Sequence, residues 1–182
     1  MKKILRFVTV CALLIGLTAC SFFDGSGGLP EADNKVAMEQ MERILSALQD
    51  HDSEKLKSLF AQNALVAISD FDLRVAELYD YVPSSFVSME DRGSNVYAES
   101  EYGHEQRQHY MSFDVQTSDG IYRFACKYIS IDTKDSDNIG LWSLYVIDMN
   151  HDTDPNIAYR GDKQYLTGIH VNVKNVLPKE QP

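Results

Sequence analysis

The apolar residues of this chain change their spacing near Pro83, and this change limits the folds that the chain can adopt. Before Pro83 they recur every three or four residues, which is typical of amphipathic helices. After it they alternate in runs rich in β-branched and aromatic residues, which indicates strands. The predicted strands are Phe86 to Asp91, Val96 to Tyr102, Gln108 to Thr117, Ile121 to Asp132 and Leu141 to Asp148. Helices followed by strands predict an α+β fold, in which the helices cover one face of an antiparallel sheet.

Three helices are predicted before the proline. The first runs from Asn34 to Asp50, with Asp33 or Asn34 as its N-cap. A short second helix begins with Ser53 as its N-cap. The third runs from Asp70 to Tyr81 and stops before Pro83, because the residue preceding a proline disfavours helical geometry.

The strands are joined by short polar segments, Ser118 to Gly120 and Lys134 to Asn138, which predict antiparallel neighbours in a meander. A late strand over Tyr165 to Val173 is predicted at a sheet edge, and residues 177–182 are predicted to fray. The length is enough for one hydrophobic core, so we predict a single domain over residues 34–176.

The N-terminus has the order of parts of a secretory signal peptide. Basic residues among the first six precede an apolar run from Phe7 to Leu17, and small residues follow. The run is too short for a membrane-spanning helix, which needs about 20 apolar residues. Residues 1–19 are therefore predicted to be a cleaved signal. The alternative is an ordinary secreted protein in which the position of Cys20 is a coincidence.

The residues Leu17-Thr18-Ala19-Cys20 match the lipobox of bacterial lipoproteins, in which the cysteine receives a diacylglycerol before cleavage on its N-terminal side. This pattern predicts lipidation of Cys20 and attachment to the extracytoplasmic face of the cell membrane. Two acyl chains hold a protein stably at a membrane, whereas a single chain holds it marginally.

The acidic charge of the chain argues against nucleic acid as a partner. The sequence has 17 basic and 27 acidic residues, and loss of residues 1–19 would bring its net charge to about −13. Phosphate backbones and anionic lipid surfaces both repel such a domain. Residues 20–33, with the run Gly25-Ser26-Gly27-Gly28, are therefore predicted to be a flexible tether that keeps the domain away from the membrane.

Cys126 has no predicted disulfide partner, because the first cysteine would leave with the signal and Cys20 would carry the lipid. Alternation places Cys126 on the strand face that also carries Tyr122, Phe124 and Tyr128. We interpret it as a buried, inert thiol. The alternative interpretation is a nucleophile.

The run Leu45 to Phe60 resembles the opening of cystatin-like, nuclear-transport-factor-two-like folds, in which helices pack into the mouth of a curved antiparallel sheet. From about Lys35 to Met149 the chain also resembles a family of short lipoproteins of Gram-positive gut bacteria known as domain of unknown function 5104. The matching segments are Leu45 to Phe60, Asp70 to Leu73, Phe86 to Gly93, and the stretch that begins with Tyr110 to Val115 and ends with Trp142 to Asp148. The resemblance implies a cone-shaped α+β fold, a lipid anchor and a Gram-positive type of envelope, and it carries over no functional residue.

Two carboxylates, Asp114 and Glu99, are candidates for acid–base chemistry if the sheet forms a pocket. Alternation places Asp114 opposite Met111 and Phe113, toward solvent. Glu99 lies on a weakly patterned strand. A catalytic carboxylate needs apolar surroundings that raise its pKa, and neither residue clearly has them. We therefore predict no catalytic residue, and a small-molecule isomerase or dehydratase that uses a pocket carboxylate is the alternative function.

Two segments partly resemble metal sites. His104 and His109, with Glu101 nearby, flank charged residues but match no zinc signature, so a polar hairpin loop is predicted there. Asp148 to Asp154 has oxygen-bearing side chains at alternate positions, as at the start of a calcium loop, but lacks the expected glycine and glutamate. An acidic turn explains these residues equally well. No metal and no cofactor are predicted.

Aromatic side chains with polar tips are frequent in the predicted sheet and suit carbohydrate, peptide or protein surfaces, although tyrosine is also an ordinary strand former. They are Trp142 with Tyr79, Tyr81, Tyr97, Tyr102, Tyr110, Tyr122, Tyr128 and Tyr145. With the predicted anchor and no recognisable catalytic motif, they favour a membrane-anchored, non-enzymatic module. It would bind a ligand or a protein through the cone pocket or the aromatic sheet face.

Replacing Cys20 by alanine tests the anchor. Because the thioether to diacylglycerol needs the cysteine sulfur, Cys20→Ala is expected to release the protein from the membrane fraction and to abolish labelling with a radioactive fatty acid. The matched control Cys126→Ala should retain both properties. Membrane retention together with acyl labelling of Cys20→Ala would refute lipidation at this residue.

Overall fold

A computed structural model describes residues 31–83, 85–151 and 165–171. In this part of the chain four helices come first: α1 (Glu31–Gln49), α2 (Ser53–Ser58), α3 (Gln62–Ala67) and α4 (Phe71–Tyr81). They are followed by the strands β1 (Phe86–Glu101), β2 (His104–Thr117), β3 (Ile121–Asp132), β4 (Gly140–Asp148) and β5 (Gly168–Val171). This order confirms the predicted α+β class. The predicted signal, Cys20 and the predicted frayed tail lie outside the described residues.

The five strands form one sheet in the order β1-β2-β3-β4-β5. The first four are antiparallel neighbours, which confirms the predicted meander, and β5 pairs parallel to β4 at the edge. Short 3-10 helices, Ser136–Asn138 and Met149–His151, lie on either side of β4. The finer prediction, that the sheet curves into a cone, stays a prediction.

Three details of the helical region differ from the sequence analysis. Residues 31–33, at the end of the predicted tether, belong to α1, so Asp33 is an internal helical residue and not a cap. Asp52, rather than Ser53, caps α2, and its Oδ1 accepts a hydrogen bond from the Lys55 backbone N–H at 2.8 Å. Helix α3 was not predicted, because its six residues are too few to show a helical period.

The predicted strands Phe86 to Asp91 and Val96 to Tyr102 form one strand, β1. The register with β2 shifts between Asp91 and Gly93, so Arg92 is an extra residue in a β-bulge and pairing continues beyond it. Gly93 has a φ of +128°, a backbone conformation that favours glycine. The sequence suggested a break here because the same residue types make turns and bulges.

The connection between β1 and β2 is a tight turn at Tyr102 and Gly103, which have φ values of +49° and +82°. Two consecutive residues with positive φ match the turn that joins short hairpins. The stretch Glu105 to Arg107 therefore belongs to β2, and the prediction of a polar loop there was wrong. Its charged residues follow the turn directly, where strands tolerate polar side chains on both faces.

A single apolar cluster fills the space between the helices and the sheet face turned toward them, which we call the inner face. From the helices it includes Ala37, Met41, Ile44, Leu48, Leu56, Phe71, Val75 and Leu78, and from the strands Met111, Phe113, Val115, Phe124, Cys126, Leu144, Val146 and Ile169. None of these is more than 7% exposed. Burying each large apolar side chain contributes about 1.5–3 kcal/mol, so this cluster stabilises the fold. Among the described helices, none combines the length and apolar character needed to cross a membrane.

At Gly140, the first residue of β4, the backbone of the sheet lies close to that of the helical region. The backbone N–H of Ala61 donates to the carbonyl of Leu141 at 3.0 Å, and the N–H of Leu141 donates to the carbonyl of Leu59 at 2.8 Å. A Cβ on Gly140 would lie 2.5 Å from the backbone nitrogen of Ala61, and its φ is +137°. Glycine is required here for space and for backbone conformation.

Gly140→Ala and Gly103→Ala separate these two effects. Both residues have positive φ, so alanine at either position is expected to destabilise the fold by about 1–2 kcal/mol through backbone strain. At Gly140 the collision with Ala61 should add about 1–3 kcal/mol, whereas a Cβ at Gly103 meets no atom within 4 Å. Urea unfolding measures the difference, and equal destabilisation by the two variants would contradict the close approach.

Candidate functional site

The protein's own side chains fill the centre of the inner face of the sheet. Met111, Phe113 and Phe124 are fully buried there against the apolar residues of the helices. Cys126 is likewise fully buried, and burial raises the pKa of its thiol. This confirms the interpretation of Cys126 as an inert core residue. In the described part of the chain, the centre of this face is a packed core.

The two candidate carboxylates lie in polar surroundings. Asp114 is on the opposite, outer face, but its side chain is only 16% exposed, because Arg123 and Arg92 cover it. The Arg123 guanidinium donates to Asp114 at 2.7 Å and 3.1 Å, and Arg92 Nε lies 3.4 Å from it. Alternation therefore placed Asp114 on the correct face, and the two arginines that cover it there were not predicted. Glu99 is exposed and accepts a hydrogen bond from the Tyr97 hydroxyl at 3.3 Å.

The two histidines of the suggested metal pair lie on opposite faces of β2. His109 is 1% exposed and faces the helices, with Nε2 at 2.8 Å from Ser130 Oγ. A register shift makes Ser130 a bulge residue of β3, which brings its hydroxyl to His109. His104 is exposed beside the hairpin turn. Within the described ranges, no three residues among His, Cys, Asp and Glu are grouped so that they would hold a metal ion.

A partly buried ion pair joins α1 to β2 next to His109. Arg107 Nη2 donates to Asp33 Oδ2 at 3.0 Å, and the Asp33 side chain is 5% exposed. Burial lowers the pKa of His109, although the charge of Asp33 partly opposes the shift. Sequence reasoning missed this pair because Asp33 resembles a helix cap. Its role in the described structure is to hold the first turn of α1 on the sheet.

The first residues of the suggested calcium loop form a hydrogen-bonded turn. Asp148 Oδ1 accepts hydrogen bonds from the backbone and the side chain of Asn150, both at 2.9 Å. The Asp148 backbone N–H donates to the Tyr81 hydroxyl at 3.0 Å. The remaining residues of the segment, 152–154, lie outside the described residues.

Two aromatic rings surround a lysine on the outer face, the face turned away from the helices. Lys127 Nζ lies 5.6 Å from the centroid of the Trp142 ring and 6.0 Å from that of Tyr110, which is within cation–π range. Burial lowers the pKa of Lys127, and the described residues contain no ion-pair partner for it. We call these three half-buried residues the outer patch.

The position of Trp142 depends on a bulge in β4. Lys127 pairs with Ser143 and Tyr128 pairs with Leu141, which leaves Trp142 as the extra residue. Its indole Nε1 donates to the carbonyl of Asn138 at 2.8 Å. Strict alternation would not place Trp142 beside Lys127. The sequence analysis named Trp142 and Tyr110 as surface aromatics but missed the lysine between them.

A row of hydrogen-bonded side chains, which we call the glutamine ladder, continues from the outer patch along β2. The Tyr110 hydroxyl donates to Gln108 Oε1 at 2.8 Å, and Gln108 Nε2 donates to Gln106 Oε1. Gln106 Nε2 then donates to Asp132 Oδ2 at 2.7 Å. These residues share one face because they alternate along β2 and pair with β3. The ladder fixes the Tyr110 side chain of the outer patch.

Asp132 anchors the far end of the ladder. Besides Gln106, it accepts a hydrogen bond from Asn138 Nδ2 at 2.9 Å and from the backbone N–H groups of Lys134 and Asp135, each at 3.0 Å. These hydrogen bonds, led by the one from Gln106, lower the pKa of Asp132 to about 2. The carboxylate is therefore ionised throughout the physiological pH range.

A polar depression of about 640 Å³ lies beside this end of the ladder. It is lined by Glu99, Glu101, His104, Gln106, Asp132, Lys134, Asp135 and Asn138. Four of these residues are acidic and one is a lysine, which does not suit an apolar ligand.

The segment Tyr165 to Thr167 covers part of the outer face next to the outer patch. The Leu166 backbone N–H donates to the Tyr145 hydroxyl at 2.8 Å, and the Tyr165 ring lies 4.8 Å from that of Tyr110. His170 stacks on Tyr145 at 4.4 Å. Tyr145 is consequently fully buried, so this tyrosine is structural and is not part of an exposed aromatic surface.

Comparison with known proteins gives one family. A family model described as "Domain of unknown function (DUF5104)" matches residues 43–149, which is more than half of the chain. The matched region runs from α1 to the end of β4 and contains the outer patch and the glutamine ladder. No curated protein matches the chain.

Asp132→Asn tests the ladder through the pH dependence of stability. Because the pKa of Asp132 is about 2 in the folded protein and near 4 in an unfolded chain, its contribution is present above pH 4 and is lost as the pH falls toward 2. The variant should lose about 2 kcal/mol of stability at pH 7, and its difference from the wild type should shrink toward pH 2. Urea titrations at several pH values measure this, with exposed Asp137→Asn as the control. A difference independent of pH would contradict the assignment.

Proposed function

Since the chain belongs to the family described as a domain of unknown function (DUF5104), whose description gives no activity, we propose its function from its own residues. It is a membrane-anchored, extracytoplasmic lipoprotein, and its domain is a non-enzymatic module that binds a protein partner through the outer patch. The anchor is the diacylglyceryl group on Cys20, after removal of residues 1–19. The family resemblance favours a Gram-positive type of envelope.

Protein binding is favoured over small-molecule binding by the filled inner face. A ligand-binding cone needs a ligand-sized apolar cavity, and the centre of the inner face is occupied by Met111, Phe113 and Phe124. The alternative function, an isomerase or dehydratase, needs an ionisable group in such a cavity with a second polar group in reach. Asp114 is held by two arginines and Glu99 is exposed. Neither has that environment.

The observation that carries the proposal is the environment of Lys127. A half-buried ammonium between two aromatic rings, with no carboxylate partner among the described residues, is incompletely compensated. Tyrosine, tryptophan and half-buried cations are typical centres of protein interfaces. A partner that presents a carboxylate to Lys127 and apolar surface to Trp142 would complete the site. The glutamine ladder holds Tyr110 in place before binding, which reduces the entropy lost on association.

Charge reversal at Lys127 tests the proposed interface. The full-length protein is expressed in its native membrane and cross-linked there. The proteins cross-linked to it are then quantified by mass spectrometry. Lys127→Glu is expected to reduce recovery of the main cross-linked protein about tenfold, as for a central interface residue. Lys134→Glu, which reverses an exposed lysine in the loop after β3, should leave recovery unchanged.

Thermal unfolding of both variants shows whether they retain the fold, and Lys127→Met provides a second variant without a new buried charge. An identical set of cross-linked proteins for wild type, Lys127→Glu and Lys127→Met would overturn the outer patch as the binding surface.

A further inference from the structure

Strand β1 is an edge strand with a partner on one side only, among the described residues. It has 16 residues, and its far side presents backbone N–H and C=O groups that β2 does not pair. Extended peptides bind proteins by adding to such an edge, and side-chain pockets next to the edge then select the sequence. A pocket beside β1 would give such a site its specificity.

A groove of about 260 Å³ lies between α1 and the beginning of β1. Its apolar lining includes Leu45 from the helix and Phe86 and Met89 from the strand. Phe86 and Met89 lie on the inner face, because they pair with Thr117 and Val115 of β2. A strand added to β1 would direct alternate side chains toward this groove. The groove is large enough for one sizeable apolar side chain.

Two bulges limit where a partner strand can pair. Register shifts place Val87 and Arg92 as extra residues of β1, so the regular stretch beside the groove is Ser88 to Asp91. Bulges interrupt pairing and protect edges from unspecific association. The partner segment that pairs here is therefore about four residues long, with one residue opposite Met89 and another opposite Asp91.

The charges around this stretch define the partner further. Asp91 and Glu42, which lines the groove, make no ion pair among the described residues. Arg92 is the one basic residue of β1, and it already forms ion pairs with Glu90 and Asp114. A second copy of this chain would bring the same carboxylates to the edge, and these would repel.

Lys55, which donates to Ser46 in the wall of the groove at 2.8 Å, is paired with Asp50 at the same distance. The net charge around the groove is therefore negative, although a lysine lies nearby. A basic partner is favoured by this charge, and an acidic one is disfavoured.

We propose that β1 accepts an extended, basic segment of a partner polypeptide as an added antiparallel strand at Ser88 to Asp91. An apolar side chain of that segment enters the groove opposite Met89. A lysine or arginine two residues before it faces Asp91 and Glu42. The site is separate from the outer patch and binds through backbone hydrogen bonds, which the outer patch does not require.

The probe is a fluorescent, acetylated and amidated heptapeptide, Gly-Thr-Lys-Thr-Leu-Thr-Gly, titrated by anisotropy against the full-length protein in detergent. Saturable binding is expected. Methylation of the backbone nitrogens that face β1 should weaken it about tenfold, because each methyl removes a hydrogen bond. Replacing the peptide lysine by glutamate should weaken it as well.

Matched variants of the protein test the location. Glu42→Lys is expected to weaken peptide binding about threefold, as for an exposed charge pair. Asp137→Lys reverses an exposed carboxylate at the opposite end of the sheet and should change nothing. Lys127→Glu should also leave peptide binding unchanged. A failure of the β1 proposal is therefore distinguishable from a failure of the proposed outer-patch function.

Three results of the peptide titrations would overturn the proposal. They are equal affinity for the methylated peptide, equal weakening by Glu42→Lys and Asp137→Lys, and no binding by a protein whose thermal unfolding is normal. Self-association in sedimentation that the peptide displaces would assign the edge to a second copy of this chain and would overturn the proposal too.

Discussion

The packing of helix α1 against the inner face of the sheet, next to β1 and β2, is the interaction on which the rest of the described structure depends. Met41, Ile44 and Leu48 form the apolar stripe of the helix, and the strands meet it with residues that are almost fully buried. Because side chains fill the centre of this face, the proposed binding sites lie at its free edge along β1 and on the outer face. The ion pair between Arg107 and Asp33 fixes the end of the same helix, where the apolar contacts stop.

Hydrogen bonds organise the part of the outer face that carries the glutamine ladder. Asp132 holds the loop after β3 and the end of the glutamine ladder, and the ladder reaches Tyr110 beside Lys127. Asn63 of α3 joins the same network through Asp135 and Asn138, at 2.9 Å and 2.8 Å. One ionised carboxylate thus connects the helical region, the loop and the proposed binding surface.

Bulges orient several of the side chains that form the contacts described above. Arg92 turns toward Asp114, Ser130 toward His109 and Trp142 toward Lys127, each from a position where the register shifts. A bulge adds one residue to a strand and changes the direction of the side chains near it. The same device interrupts the free edge of β1 and leaves a short regular stretch beside the groove.

The sequence by itself determined the α+β class, the antiparallel order of the first four strands and the burial of Cys126, because these follow from the local spacing of apolar residues. It also provides the prediction of a lipid anchor at Cys20. Only the tertiary structure decided that β1 is continuous, that His109 and Asp33 are buried, and that Trp142, Lys127 and Tyr110 meet. These features depend on the register of neighbouring strands and on contacts between residues far apart in the chain. A periodic pattern read along one segment does not contain that information.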